Sequence, residues 1–309
     1  MNTTHPVNDW APIVGLWDLS DPGSPIYQGP QQQGSPHPLG ICVSNIRLSE
    51  GEVRATVNIP SIDNTNIHAS SGRIMLGYRS PTDEYIVAGL GGYGFAYTVT
   101  KFDPATGWRA LAAAGSDQNL RPDHGYRLVI RVNGQRLILE VDNVRVLDHV
   151  LDAPLVEGQV GLFTWGQVGV KFTDISSEIT NGRAFVIMKF SEPYQDLYDD
   201  VIKPVVIKYH LEAYHAGEVF GPGLILDDIV QGIIESKIII ADITPANENV
   251  FYELGYAHAL KKPTILLAEK TKILPFDISG YRCLKYENSI GGKRRLVEGL
   301  QKHLAAILD

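Results

Sequence analysis

The chain has 309 residues, 44% of them hydrophobic and 20% charged, with a formal net charge of −8. This is an ordinary globular composition with room for two domains; the negative balance argues against non-specific nucleic-acid binding, and no apolar run approaches the ~20 residues of a membrane span. Two cysteines, Cys42 and Cys283, are too few for a disulfide framework, and Met1 to Pro6 has neither the basic stretch nor the apolar core of a secretory signal, so a reducing cytoplasm is the expected compartment.

Up to about residue 179 the chain reads as all-β. Runs rich in Val, Ile, Leu and Tyr recur at 40–48, 52–59, 72–79, 84–89, 95–102, 126–132, 136–141, 161–164 and 168–175, with turn residues between them. Asn133-Gly134 between two alternating runs is a two-residue hairpin signal. Many strands joined by tight turns predict an antiparallel β-sandwich or jelly roll over residues 1–180. Gly158-Gln159-Val160-Gly161-Leu162-Phe163-Thr164-Trp165-Gly166, followed by Val170-Lys171-Phe172-Thr173-Asp174, is similar to the closing strands of concanavalin A-like (laminin G-like) sandwiches. Trp10, Trp17, Trp108 and Trp165 are all in this half, where core packing accounts for them as well as sugar stacking does. The glycine-rich stretch 85–94 reads as a strand followed by a turn, not as a phosphate loop.

After Asn181-Gly182-Arg183 the pattern changes to strand–helix alternation. Strands are predicted at 184–189, 216–220, 237–243, 263–268 and 281–286, and helices at 192–210, 226–235, 247–261 and 292–307. Such repetition predicts an α/β domain over residues 183–309, with a five-stranded parallel sheet in the flavodoxin-like order 2-1-3-4-5. Its switch point is bordered by Lys189-Phe190-Ser191 and by the segment from Asp242 to Glu253. This half has neither G-x-G-x-x-G nor a P-loop, and the chain has no Cys/His metal spacing and no Gly-x-Ser-x-Gly elbow.

Within that segment, Thr244-Pro245-Ala246-Asn247 is turn chemistry, with Asn247 or Asn249 as the helix cap. Val250, Leu254 and Ala257 form an apolar stripe, and Glu253 lies one residue off it. Taken alone, Glu253 reads as a solvated acid complementing the helix dipole. Gly255 costs helix stability, which predicts a close approach to the sheet or to a ligand.

Phe185-Val186-Ile187-Met188-Lys189-Phe190, Ile239-Ile240-Ala241-Asp242-Ile243-Thr244, Asn249-Val250-Phe251-Tyr252-Glu253-Leu254-Gly255-Tyr256-Ala257-His258-Ala259-Leu260, Lys262-Pro263-Thr264-Ile265 and Pro275-Phe276-Asp277 together resemble the bacterial TIR-like proteins. That group also looks like the nucleoside 2-deoxyribosyltransferases. Both act on an N-glycosidic bond at a ribose carbon, and the resemblance places the essential glutamate at Glu253. In a TIR hydrolase it would assist cleavage of NAD to nicotinamide and linear or cyclic ADP-ribose. A carboxylate beside the anomeric carbon stabilises or attacks an oxocarbenium-like centre, and nicotinamide leaves as a neutral base without a general acid. Asn247-Glu248-Asn249-Val250 departs from the Asp-x-Gly-Thr of the deoxyribosyltransferases, which favours the TIR-like reading.

Phe190 and Tyr194 are candidates to stack on a nicotinamide or adenine ring, with core packing the equal alternative. Ser191 is a candidate for a ribose or phosphate bond, or for capping the next helix; Asn249, one turn before Glu253, is placed to touch the ribose. Asp242 completes the candidate substrate-binding set, although ordering of loop 244–249 is its first reading. Asp227 and Asp228 read as first-turn acids and His258 as a core histidine. The expectation is a cytoplasmic NAD glycohydrolase that uses NAD as substrate and needs no cofactor or metal. The resemblance implies activation by homo-oligomerisation in antiphage defence, with the sandwich as sensor or assembly module for an unknown ligand or protein. A nucleoside N-glycosidase or deoxyribosyltransferase and a non-catalytic TIR scaffold stay open as alternatives.

Overall fold

The structure, a computed structural model, describes residues 4–31, 38–60, 70–167, 169–192, 194–215, 217, 225–244, 247–273, 278 and 282–308. The chain forms two compact units, with the main change falling at Thr180–Asn181 and the short segments Asn133–Gln135 and Asp152–Pro154 counted with the second.

The first unit contains β1 (Thr4–Pro6), β2 (Trp10–Val14), β3 (Leu16–Asp18), β4 (Ile26–Gly29), β5 (Leu39–Leu48), β6 (Gly51–Asn58), β7 (Ser71–Tyr78) and β8 (Tyr85–Leu90). It continues with β9 (Phe95–Asp103), β10 (Gly107–Ser116), β11 (Gly125–Asn133), β12 (Arg136–Val141), β13 (Val144–Val150), β14 (Gly158–Trp165) and β15 (Val170–Ile179). One sheet has the order β13-β12-β11-β6-β15-β4-β3, with β1 also on β15; the other has the order β10-β9-β8-β7-β14-β5-β2. Alternate residues build the core between them: Val53, Ala55 and Val57 of β6 and Leu128, Ile130 and Val132 of β11 share one buried cluster with Ile74, Leu76 and Leu162. The unit is therefore an antiparallel β-sandwich.

Each of the nine strands read from sequence has a counterpart, and the short strands β1–β4, together with β10 and β13, were not predicted. Gly107–Ser116 carries four alanines and no β-branched residue, and Trp108 alone favours a strand there. The β12–β13 turn is Asp142-Asn143, with φ of +50° and +65°, as a type I′ hairpin requires. The Asn133-Gly134 hairpin forms one residue later than expected: β11 ends at Asn133, and Gly134 takes the left-handed conformation at φ +56°.

The second unit has β16 (Arg183–Ile187), β17 (Glu212–Tyr214), β18 (Ile238–Asp242), β19 (Thr264–Glu269) and β20 (Cys283–Tyr286). All neighbours are parallel, in the order β17-β16-β18-β19-β20. Counted within the unit, this is the expected 2-1-3-4-5. Every residue of β18 is buried, as its uninterrupted apolar run predicts for a strand covered on both faces. The helices are α1 (195–208), α2 (Ile225–Glu235), α3 (Glu248–Ala259) and α4 (Ile290–Leu308). Helices α1 and α4 pack on one face through Val201, Val205, Leu296 and Leu300; α2 and α3 pack on the other through Ile233, Val250 and Leu254.

Local chemistry explains where these elements depart from expectation. The middle of α1, Tyr198–Ile202, is π-helical. Pro204 follows; in a regular helix its ring would collide with the carbonyl four residues back, and the widened turn makes room. His210 then adopts φ +56°, ending the helical path, and the next strand forms at Glu212–Tyr214. The strand expected at 216–220 therefore lies earlier; residues 216 and 218–220 are outside the described set. Helix α3 stops two residues short of the predicted Lys261, because Lys261 is itself left-handed at φ +54°. Its N–H reaches the His258 carbonyl at 2.9 Å and that of Lys262 the Ala257 carbonyl at 3.0 Å, the two bonds of a Schellman end.

Lys262, only 5% exposed, donates from Nζ to the carbonyls of Ile234 and Ser236 at 2.7 and 2.6 Å, so one buried ammonium closes the carboxyl end of α2. Lys262→Met should cost the second unit about 2–3 kcal/mol, since two buried carbonyls lose a charged donor. Urea unfolding followed by helical circular dichroism checks this, because the described α-helices all belong to this unit.

Candidate active site

The site is built where β18 ends. Asp242, with no exposed surface, accepts at Oδ1 from the Thr244 N–H (3.1 Å) and at Oδ2 from the Tyr286 hydroxyl (2.8 Å). Thr244 in turn accepts at Oγ1 from the Glu269 N–H at 2.9 Å. The carboxyl ends of β18, β19 and β20 are thus tied together, and the chain leaves the sheet at a fixed point. Burial pushes the Asp242 carboxyl up to about 7, against the pull of its two hydrogen bonds. The same burial, together with the Asp242 charge, raises the Tyr286 hydroxyl.

Asn247 caps α3: its backbone is extended (φ −143°, ψ 131°) and its Oδ1 accepts from the Asn249 N–H at 2.9 Å. Asn247, and not Asn249, is therefore the cap. Val250, Leu254 and Ala257 are the buried stripe of α3, as the spacing predicts. Glu253, beside that stripe, is half-buried, and burial pushes its carboxyl up to about 7. Among the described residues no hydrogen bond or ion pair holds this carboxylate. A desolvated acid without a partner is costly for folding and is characteristic of groups kept for chemistry. Asn249, one turn earlier, is exposed. Gly255 is exposed as well, and a methyl there meets nothing within 4 Å among the described residues. The close approach expected at Gly255 is absent from the described part of this unit.

The aromatic candidates diverge. Phe190 stacks on His215 with ring centroids 3.6 Å apart and meets Tyr198 edge-on at 5.5 Å, so one of its faces is already covered. The Ser191 carbonyl receives the N–H of Tyr194 at 2.8 Å, and α1 begins without a side-chain cap bond. Tyr194 lines a cleft of about 390 Å³ with Asp200, Glu269, Tyr286, Glu287 and Lys293. This cleft opens beyond the carboxyl ends of β19 and β20, and Asp242 lies behind it through Tyr286. Glu253, Phe190, Ser191 and Asn249 do not line it. Its acidic lining repels a pyrophosphate, so it does not suit the body of a dinucleotide. Glu269 and Tyr286 were not singled out from sequence; each ends a parallel strand, and strand-end position was the one signal available. His258 is half-buried and lowered by that burial, as a core histidine is, and Asp227 and Asp228 stand in the first turn of α2. Cys42 and Cys283 are both free, and among the described residues no group of His, Cys, Asp and Glu could hold a metal.

No family model and no curated protein matches the chain. Solved structures similar to a little over half of it include the carbohydrate-binding module CBM66 from Bacillus subtilis, at 17% identity over 56% of this chain and 96% of that one, with a TM-score of 0.45. A Bacillus licheniformis β-glucanase is similar at 10% identity over 58% and 98%, with a TM-score of 0.41. A Bacillus subtilis protein with a galectin-like fold is similar at 10% over 58% and 98%, with a TM-score of 0.39. Likeness at this level assigns the sandwich neither ligand nor activity.

Linkage gives a test of the two raised acids. Between about pH 4, where an ordinary carboxyl titrates, and pH 7, the folded Asp242 keeps a proton that the unfolded chain has released. Stability of the second unit should therefore fall as pH rises through this window and level off above it. Asp242→Asn should remove part of the slope and the Asp242→Asn/Glu253→Gln double variant most of it, read from urea midpoints between pH 4 and 8. Gly255→Ala should stabilise α3 by up to about 1 kcal/mol, since the added methyl meets nothing within 4 Å among the described residues.

Proposed function

We propose that the second unit is a TIR-like NAD glycohydrolase with Glu253 as its essential carboxylate, and that the sandwich is its sensor or assembly module. The observation that carries this reading is the state of Glu253: half-buried, raised to about 7, and without a partner among the described residues, on the helix that leaves the central strand of the sheet. The parallel order supports it, because ligands of such sheets bind beyond the carboxyl ends of the strands. The motif succession that resembles TIR-like proteins runs through β16, β18, α3 and β19, and its last member, Pro275-Phe276-Asp277, lies outside the described residues.

The chemistry follows from the charge. As the bond from nicotinamide to the ribose breaks, its electron pair goes to the pyridine nitrogen and positive charge develops at the anomeric carbon. The Glu253 carboxylate stabilises that centre or attacks it, and water or the adenine then completes the linear or cyclic product. A carboxylate that water solvates poorly interacts more strongly with a cation than an exposed one does. The cationic pyridinium draws Glu253 toward its ionised form as it binds. Asp242 acts as a positioning residue that sets where α3 starts.

The test is nicotinamide release from NAD by the purified full chain over a protein concentration series. Release should rise more than linearly with protein, and Glu253→Gln should reduce it on the order of 10²–10³-fold. Base exchange between deoxynucleosides without attack on NAD would identify a deoxyribosyltransferase instead. A Glu253→Gln chain that keeps its activity in cells would identify a scaffold. The pH profile gives a further check: kcat/KM should rise with pH and level off above about 7, because it reports the free enzyme and the ionised carboxylate is the active form.

A further inference from the structure

Strand β7 is buried along its whole length, and its two faces differ in kind. Ile74 and Leu76 enter the sandwich core, whereas Arg73 and Met75 face the other way. On that outer face Met75 joins Tyr78, Tyr85, Val87 and Phe163 in a second apolar cluster, with Phe102 and Trp108 packed against it. The guanidinium of Arg73 lies in this setting, 5% exposed. Its Nη1 donates to Thr100 Oγ1 at 3.2 Å, and its carbon sits 5.5 Å from the centre of the Phe163 ring, the cross-strand neighbour on β14. Among the described residues the buried Nε has no hydrogen-bond partner and no carboxylate pairs with the group. Burial lowers its pKa only to about 10, so it stays charged at neutral pH.

Burying a charge without a counter-charge is among the most expensive arrangements a fold can keep. This one opens into a pocket of about 330 Å³ lined by Arg73, Gly92, Tyr93, Trp108, Phe163 and Trp165. Trp108 and Phe163 meet nearly edge-on at 5.1 Å, which fixes the floor; Trp165 is 36% and Tyr93 59% exposed. The rim is the turn after β8. Gly91, Gly92, Tyr93 and Gly94 all have positive φ, and any Cβ on Gly92 would overlap Arg73 Nη2. The glycine run is thus what leaves the guanidinium open to the pocket.

We propose that this face of the sandwich binds a small anion attached to a ring with an apolar face, a sugar acid or a nucleoside monophosphate, with Arg73 as counter-charge, Trp108 in the floor and Tyr93 and Trp165 as stacking walls. A carboxylate or phosphate accepts from the free edge of the guanidinium, and the aromatic walls take the apolar face of a sugar or a base. The volume suits a ligand of that size. This site belongs to the first unit and does not rest on the chemistry assigned to Glu253.

The experiment titrates the full-length protein with glucuronate, AMP, glucose and adenosine, reading tryptophan fluorescence and the thermal midpoint. One of the two anions should quench the fluorescence and raise the midpoint, binding at least about tenfold tighter than its neutral counterpart. Glucuronate against glucose and AMP against adenosine tells the two sources apart. Arg73→Met should abolish binding and melt no lower than the unsubstituted chain, because it removes an uncompensated buried charge while keeping the bulk. Tyr93→Asn, at an exposed residue whose left-handed backbone asparagine tolerates, should weaken binding without loss of fold. Equal binding of anion and neutral partner, undiminished binding by Arg73→Met, or no binding of either anion up to about 10 mM would overturn the proposal.

Discussion

The second unit depends on one buried carboxylate. Asp242 closes β18 and takes a hydrogen bond on each oxygen, one from the backbone two residues on and one from Tyr286 at the end of β20. With Thr244 bonded to the backbone of β19, three strand ends share a single polar knot. Loops at the carboxyl edge of a parallel sheet are where ligands bind, so they must leave the sheet at defined points. An apolar residue in place of Asp242 would pack as well, but it would leave the Thr244 N–H and the Tyr286 hydroxyl unsatisfied. The origin of α3, and with it the height of Glu253, would then lose its anchor.

Asp242 and Glu253 carry the same chemical group, pushed by burial to the same region near 7, yet they have different standing. Asp242 is fully enclosed and hydrogen-bonded on both oxygens, so its surroundings account for it as a part of the fold. Glu253 is half-enclosed and, among the described residues, unbonded. Folding gains nothing from desolvating an acid without pairing it. Solvent access on one side keeps Glu253 available to an incoming cation, which Asp242 is not. This asymmetry separates a positioning residue from a candidate catalytic one more sharply than the shared shift does.

Much of the fold was legible because the periodicities were clean. Uninterrupted Ile238-Ile239-Ile240-Ala241, short and β-branched, read as a doubly covered strand, and Val250, Leu254 and Ala257 marked the buried stripe of α3. What escaped was set by tertiary context. The alanines of β10 prefer a helix, and only the neighbouring strand holds them extended. The π-turn in α1 answers Pro204, inside a span whose periodicity predicted one regular helix. Lys261 and His210 take left-handed backbones that glycine signals would have announced. At the site, Glu253 and Asp242 were visible as residues, but the bond from Asp242 to Tyr286 joins positions 44 apart in sequence and follows no pattern. Gly255 misled, because a helix glycine suggests a close neighbour and the described structure provides none.

Two buried cations and one half-buried acid distinguish satisfied chemistry from unfinished chemistry in this molecule. Lys262 is almost as enclosed as any residue of its unit, yet two carbonyls at the end of α2 receive its protons, and it reads as a cap. Arg73 is equally enclosed, yet one hydroxyl and one ring face are its described company, and Nε has no acceptor. Glu253, half-buried, has no partner among the described residues either. A protein interior tolerates a charge when local dipoles answer it, and a charge they do not answer has to be answered from outside. The residue types then state the complement. A guanidinium among aromatic rings calls for an anion on a ring with an apolar face, and a carboxylate at the carboxyl edge of a parallel sheet calls for a cationic or cation-forming carbon. The two units therefore pose opposite electrostatic demands, and the ligands proposed for them differ accordingly.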